Sequence, residues 1–240
     1  MKQQIKMVMF DLDGTLLPMD MEEFTNGYFR LLAAKAAPYG YDFQALVRGI
    51  WHGVAAMVKN DGKCLNEEAF WKDFQATFGE QAIKDKAVFE EFYANEFGQA
   101  QCFCGFNPKA SRIVSWIKSR GLRTGLATNP LFPAAATETR IRWAGLEPDD
   151  FEFYTTYENI GYCKPNLDYY RELLKIVGLP PEECLMVGND VGEDMTAEKL
   201  GMKVFLLTDC LINKNGEDIS RYPHGTFDDL KEYLVRILNG

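Results

Sequence analysis

Ile5-Lys6-Met7-Val8-Met9-Phe10 runs straight into Asp11-Leu12-Asp13-Gly14-Thr15, and this junction decides the fold. A nearly continuous apolar run rich in strand formers reads as a strand buried on both faces, the habit of parallel sheets. In a strand, residues i and i+2 point to one face. Asp11 and Asp13 therefore share a face, where like charges repel unless a cation or a reaction needs them together. Ligands of open parallel sheets bind just beyond the carboxyl ends of the strands, the place these two residues occupy. An N-cap or Asx-turn accounts for one aspartate and not for both.

Outward from this junction, Leu16-Leu17-Pro18-Met19-Asp20 reads as a turn, and residues 20–98 carry helical periodicity with no strand signal. Phe43, Leu46, Val47, Ile50, Trp51, Val54 and Val58 form one apolar stripe at 3–4 spacing. Asn66 before Glu67-Glu68 reads as an N-cap opening a helix that Gly79 closes. A further helix is expected over residues 83–97. The character changes near residue 105. Asn107-Pro108 opens a helix ended by Gly121, and residues 122–127 read as a strand delivering Thr128-Asn129. Another helix ends near Gly145, and residues 151–154 read as a short strand. Asn166 caps a helix closed by Gly178, and a strand over residues 184–187 delivers Gly188-Asn189-Asp190. A short helix over residues 193–200 stops at Gly201, and residues 203–207 form a strand. His224, beside Pro223, is expected in a loop before a final amphipathic helix marked by Leu230, Leu234, Ile237 and Leu238. Strands alternating with helices imply an α/β protein, a parallel sheet covered by helices on both faces. The expected division is a core of residues 1–18 and 102–240 and an all-helical inserted domain of residues 19–101.

The net charge of −9 over 240 residues, with 47% hydrophobic and 25% charged residues, fits a soluble globular chain. It argues against a nucleic-acid binder, which needs a basic face. A small phosphorylated substrate stays compatible, because a few local cations or a metal reverse the sign within one site. Met1-Lys2-Gln3-Gln4 leads into only a short apolar run, without a leader segment, and nothing reaches the length of a membrane span. A cytoplasmic protein with no membrane partner is expected. Cys64, Cys102, Cys104, Cys163, Cys184 and Cys210 are scattered; the close pair Cys102-Phe103-Cys104 lacks a second pair, so all six read as reduced thiols.

The polar groups of chemical interest stand just after an expected strand or in a following loop: Asp11 and Asp13, Thr128 and Asn129, Lys164, and Asn189, Asp190 and Asp194. Parallel strands would gather them at one sheet edge. His52 and His224 accompany none of these strand ends, which disfavours a histidine base. Clustered aspartates with one lysine suit a hard cation, and Mg²⁺ takes one or two protein carboxylates, keeps several waters and completes its shell with substrate phosphate. Phosphoryl transfer demands positioning and charge neutralisation. A carboxylate can attack phosphorus to give an aspartyl-phosphate, and a second carboxyl can protonate the leaving oxygen and later deprotonate water. Asp11 and Asp13 fill these two roles.

Asp11-Leu12-Asp13-Gly14-Thr15, Thr128-Asn129, Lys164-Pro165 and Gly188-Asn189-Asp190 with Asp194 resemble, in order, the four motifs of the haloacid dehalogenase superfamily. The resemblance implies a Rossmann-like core with a helical cap of the C1 type inserted after the first motif. It implies that Asp11 is the nucleophile and a metal ligand, and that Asp13 is the acid/base and offers its backbone carbonyl to the metal. Thr128 and Asn129 would bind the phosphoryl group, Lys164 would hold the charge of nucleophile and phosphate, and Asp190 would be the other metal carboxylate. Thr15, Asn189 and Asp194 would support these groups from behind. Gly-Asn-Asp in place of Gly-Asp leaves Asn189 or Asp190 to face the metal; the charge and the four-residue spacing to Asp194 favour Asp190. Dehalogenating members lack the second aspartate, so Asp13 directs the reading to phosphate. The expected activity is a Mg²⁺-dependent phosphatase acting on a small phosphorylated metabolite through an aspartyl-phosphate. A phosphomutase and a catalytically idle binding module are the alternatives. In the insert, Arg48, Trp51 and Lys59 could face the substrate, but Arg48 and Lys59 are read in preference as solvated charges and Trp51 as a core aromatic.

Overall fold

A computed structural model describes residues 4–239; Met1, Lys2 and Gln3, weighed above as the start of a possible leader, lie outside them. The apolar run forms β1 (Met7–Phe10), each residue of which is fully buried. It joins β2 (Arg123–Leu126), β3 (Cys184–Gly188), β4 (Lys203–Leu207) and β5 (His224–Gly225) in one parallel sheet of order β2-β1-β3-β4-β5. Strand order reverses around β1, the kind of switch point where open α/β sheets bind ligands. The register places Phe10 beside both Leu126 and Val187, so the residues after β1, β2 and β3 emerge at one edge.

The insert after β1 carries α1 (Met21–Ala36), α2 (Phe43–Val58), α3 (Asn66–Phe78), α4 (Glu80–Lys84) and α5 (Lys86–Asn95), followed by 3₁₀ turns over Phe97–Phe103. After the insert come α6 (Pro108–Ser119), α7 (Ala134–Trp143), α8 (Leu167–Val177) and α9 (Phe227–Asn239). The two faces of β1 feed two apolar layers. Val8 and Phe10 join Ile113, Ile141 and Leu234 of α6, α7 and α9, whereas Met7 and Met9 join Tyr169 and Leu173 of α8. Burial on both faces is what the unbroken apolar run required. The insert has an aromatic core of Phe24, Phe74, Phe92 and Phe97, joined to the sheet-bearing part where the Tyr28 ring meets Phe132 at 5.5 Å.

Six expectations need correction. The helix expected over residues 83–97 is two helices split at Asp85, whose backbone (φ −94°, ψ 4°) leaves the helical region; the apolar period runs on unbroken across one residue and cannot report the break. Asn66 does not cap α3. Leu65 is the cap, its N–H donating to Glu68 Oε2 at 2.9 Å. Asn66 is instead buried, accepting from Asn60 Nδ2 at 2.9 Å and aiming its own amide at the carbonyls of Pro130 and Tyr162, both at 3.3 Å. Residues 151–154 form no strand. They follow the edge of β2 through Glu152 N–H to Thr124 O at 2.8 Å and Leu126 N–H to Phe153 O at 2.9 Å, with a single bridge at Tyr154. His224 belongs to β5, paired with Leu206, because a two-residue strand carries no period to read. Trp51 is no core residue: it stands 51% exposed on α2. The short helix before Gly201 is 3₁₀ and spans Met195–Leu200. Among the described residues no helix is long and apolar enough to cross a membrane.

Candidate active site

Asp11 leaves β1 with its backbone still held by the sheet, its N–H donating to Val187 O at 2.9 Å. Its side chain is almost enclosed. The Lys164 ammonium, wholly buried, donates to Asp11 Oδ1 at 2.9 Å and to Asp194 Oδ1 at 2.6 Å. The Thr15 hydroxyl lies 3.0 Å from both Asp11 Oδ2 and Asn189 Oδ1; its one proton serves one of them at a time. Burial opposes the Lys164 charge, but the Asp11 and Asp194 carboxylates outweigh it and hold the ammonium well above the usual lysine range. Two carboxylates share one buried cation, so one of them titrates high: burial, against the pull of Lys164, pushes Asp194 up to about 7.

The loop after β3 is wound around Asp194. Its Oδ2 accepts the Asp190 N–H at 3.0 Å, and a Cβ at Gly188 would lie 2.1 Å from that oxygen, so only glycine fits. Asp190 Oδ1 accepts the N–H groups of Gly192 (2.8 Å) and Glu193 (3.0 Å); Oδ2 takes no part in either bond. Asn189 spends its amide on structure, donating to Cys210 O at 2.7 Å. Gly14, at φ +83°, brings the first motif against the Asn189 amide, where a Cβ would clash at 2.3 Å.

After β2, the Thr128 carbonyl accepts from Thr155 Oγ1 at 2.6 Å and from the Tyr169 hydroxyl at 2.8 Å. Asn129 donates to Glu193 Oε2 at 3.0 Å and accepts the Lys164 N–H at 3.3 Å. Burial, with the carboxylates of Asp190 and Asp11 nearby, pushes Glu193 up despite Lys164. A cleft of about 250 Å³ is lined by Asp11, Asp13, Thr128, Asn129 and Asp190, with Asn189 and Asp194 in its floor. Lys164 and Thr15 lie against Asp11 beneath it. All the residues singled out in the sequence thus converge on one edge of the sheet.

The sequence reading missed Arg140, Glu193, Thr155 and Tyr169. Arg140, on α7, is fully buried and forms an ion pair with Asp13 Oδ2. Its guanidinium carbon lies 4.3 Å from the Phe132 ring centroid, and its Nε donates to Ala136 O at 3.3 Å. The available signal was a charge on the buried stripe Ala136, Thr137, Arg140, Ile141, Ala144. Asp13 Oδ1 is buried without a hydrogen-bond partner among the described residues. Burial raises the Asp13 pKa, and Arg140 offsets this only in part. Among the described residues no group of three His, Cys, Asp or Glu side chains is arranged to hold a metal ion, Cys102 and Cys104 included. Mg²⁺ needs no such trio, since one or two carboxylates plus water and substrate suffice. Asp11 and Asp190 offer two in one cleft.

A family model described as haloacid dehalogenase-like hydrolase matches residues 5–201. The chain belongs to this family. Among curated proteins, the haloacid dehalogenase-like chain described here is 26% identical over 221 residues to a glyceraldehyde 3-phosphate phosphatase of Methanocaldococcus jannaschii, covering 82% of each. The protein of that name from Methanothermobacter thermautotrophicus is 31% identical over 121 residues, 47% of this chain and 52% of the relative. Among solved structures, a 2-haloacid dehalogenase from Pseudomonas syringae superposes with a TM-score of 0.64 at 19% identity, covering 97% of this chain and 99% of that one. At that identity the likeness is one of fold, and the reaction has to be read from the residues in the cleft.

Proposed function

We propose that this haloacid dehalogenase-like hydrolase is a Mg²⁺-dependent phosphatase that transfers the phosphoryl group of a small phosphomonoester to Asp11 and then to water. The observation that carries the reading is the pairing of two differently placed carboxyls at the end of β1. Asp11 is held by Lys164 and Thr15. Asp13, two residues on, is enclosed, and burial raises its pKa even beside Arg140, which eases its taking up a proton. Environments that push paired carboxyls apart assign the acid and the nucleophile.

In the first step an Asp11 carboxylate oxygen attacks phosphorus. The bond from phosphorus to the substrate oxygen breaks, and the Asp13 proton goes to that oxygen, releasing an alcohol. Lys164 offsets the negative charge of Asp11, so that an anionic phosphate can approach. The Thr128 hydroxyl and the Asn129 backbone receive the phosphoryl oxygens beside the cleft. In the second step water attacks phosphorus and gives its proton to Asp13; the bond from phosphorus to Asp11 breaks, orthophosphate leaves and both carboxyls are restored. Asp11 and Asp190, with the Asp13 backbone carbonyl, are the groups that would hold Mg²⁺; Asn189 is committed to Thr15 and Cys210. When bound, the ion neutralises charge on the phosphoryl oxygens. Residues 19–101 serve as a cap over the cleft. Six free cysteines favour a reducing compartment, the cytoplasm.

The test is orthophosphate release from a panel of phosphomonoesters with Mg²⁺. Asp11→Asn is expected to abolish turnover while leaving the fold intact, and unchanged hydrolysis by that variant would overturn the reading.

A further inference from the structure

An apolar cavity of about 130 Å³ lies between the helical insert and Leu131, Phe132, Pro133 and Tyr157 of the core, and it abuts the catalytic cleft. Met21, Leu131 and Phe132 line both spaces. The far walls are rings and branched chains: Phe24, Phe29, Phe70 and Trp71, with Ile50 and Val54 of α2. Among the described residues no charged side chain lines it. Two of its few polar groups satisfy each other, the hydroxyls of Tyr28 and Tyr93 lying 2.7 Å apart. A polyhydroxylated group placed here would give up water for few partners, a costly exchange. A ring would meet the edges and faces that aromatic groups prefer. The volume is also close to that of apolar cavities of about 150 Å³ that stay dry and bind benzene.

The cavity is tied to the chemistry through one ring. Phe132 is a wall of both spaces, and Arg140, the partner of Asp13, covers it at 4.3 Å. A substrate with phosphorus at Asp11 and its leaving oxygen at Asp13 directs its organic part past Phe132. Trp51, half-exposed yet also a lining residue, stands at the cavity rim.

We propose that this cavity is the subsite for the leaving group, and that the substrate is a phosphomonoester of a compact apolar alcohol, of arylmethyl size. The proposal rests on the phosphatase reading above. It distinguishes the chain from a hydrolase of polar sugar or glycerol phosphates.

Two measurements on the full-length protein decide it. The first is fluorobenzene binding by ¹⁹F NMR, which needs no turnover. The second is kcat/KM for benzyl phosphate against glycerol 3-phosphate, two alkyl phosphates with similarly poor leaving groups. Wild type should bind fluorobenzene, with benzyl phosphate displacing it, and should favour benzyl phosphate by at least about tenfold. Val54→Phe fills the cavity and should abolish fluorobenzene binding and the preference for benzyl phosphate. Val54→Thr adds a hydroxyl at nearly constant volume and should lower both apolar readouts in a folded protein. No fluorobenzene binding, or hydrolysis of glycerol 3-phosphate without a preference, would overturn the proposal and leave the phosphatase reading standing. If neither ester is hydrolysed but benzyl phosphate displaces fluorobenzene, the apolar subsite stands and the phosphatase reading fails.

Discussion

Arg140 reaches from α7 to Asp13 and pairs with the carboxylate that stands two residues beyond Asp11, while its guanidinium lies over Phe132. A fully buried guanidinium and a carboxylate only 17% exposed form a pair whose value depends on both members being present. Removing one partner of an enclosed pair typically costs about 3–5 kcal/mol, because the other charge is stranded. Arg140→Met is therefore expected to destabilise toward the lower end of that range, since Asp13 keeps some contact with water. Combining it with Asp13→Asn should recover a good part of the loss. Urea unfolding of the two single variants and the double variant measures this; strictly additive losses would show that the pair is not coupled.

Asp194 gives a pH signature. Burial pushes its folded pKa up to about 7, whereas an unfolded aspartate titrates near ~3.9. The folded state therefore binds the proton more tightly, and the contribution to stability is full below about pH 4 and is lost as pH rises through about 7. In metal-free buffer, wild-type stability should decline across that window, and Asp194→Asn should flatten the decline. Equal slopes in chemical-denaturation series from pH 4.5 to 7.5 would contradict the assignment.

Asp190 and Asn189 separate the roles of neighbours. Asp190 has a carboxylate oxygen outside the two bonds to Gly192 and Glu193, whereas the Asn189 amide is tied to Thr15 and Cys210. EDTA should suppress orthophosphate release and added Mg²⁺ should restore it. Asp190→Asn should raise the Mg²⁺ concentration for half-maximal activity by about tenfold or more, the loss of roughly 1.4 kcal/mol or above. Asn189→Ala should lower stability and leave that concentration near the wild-type value. The reverse pattern would exchange the two assignments.

Asn66 joins the insert to the core, with its amide directed at Pro130 O and Tyr162 O. Truncation strands buried carbonyls, at a cost of about 1–3 kcal/mol. Asn66→Ala should show that loss in urea and faster amide exchange at the start of α3. Wild-type exchange there would mean that the bonds contribute nothing to holding the insert.

What the sequence disclosed follows from locality. An apolar run that ends in polar residues marks a buried strand and its tip, so β1 to β4 and the groups at their ends were legible before any coordinates. Arg140 was not, because its meaning depends on Asp13 standing opposite, and only tertiary packing sets that distance. Asn66 shows the same limit: the residue type that caps a helix also makes a buried clamp. Asp85 splits a helix without disturbing the apolar period, and β5 is too short to have one. Convergence of the motifs was inferable from order alone, whereas the apolar cavity needed side chains from residues 21 to 157.

Placing β1 in the middle of the sheet has a consequence for how the chain is made. Met7 is bonded on one side to the strand that starts at Arg123 and on the other to the strand that starts at Cys184. On the ribosome, β1 emerges first and waits, apolar and unpaired, while the whole helical insert is synthesised. It gains its second neighbour only after Val187 has left the exit tunnel. At about 5–20 residues per second that interval lasts tens of seconds at the slow end, long enough for a chaperone to be the first partner the strand meets.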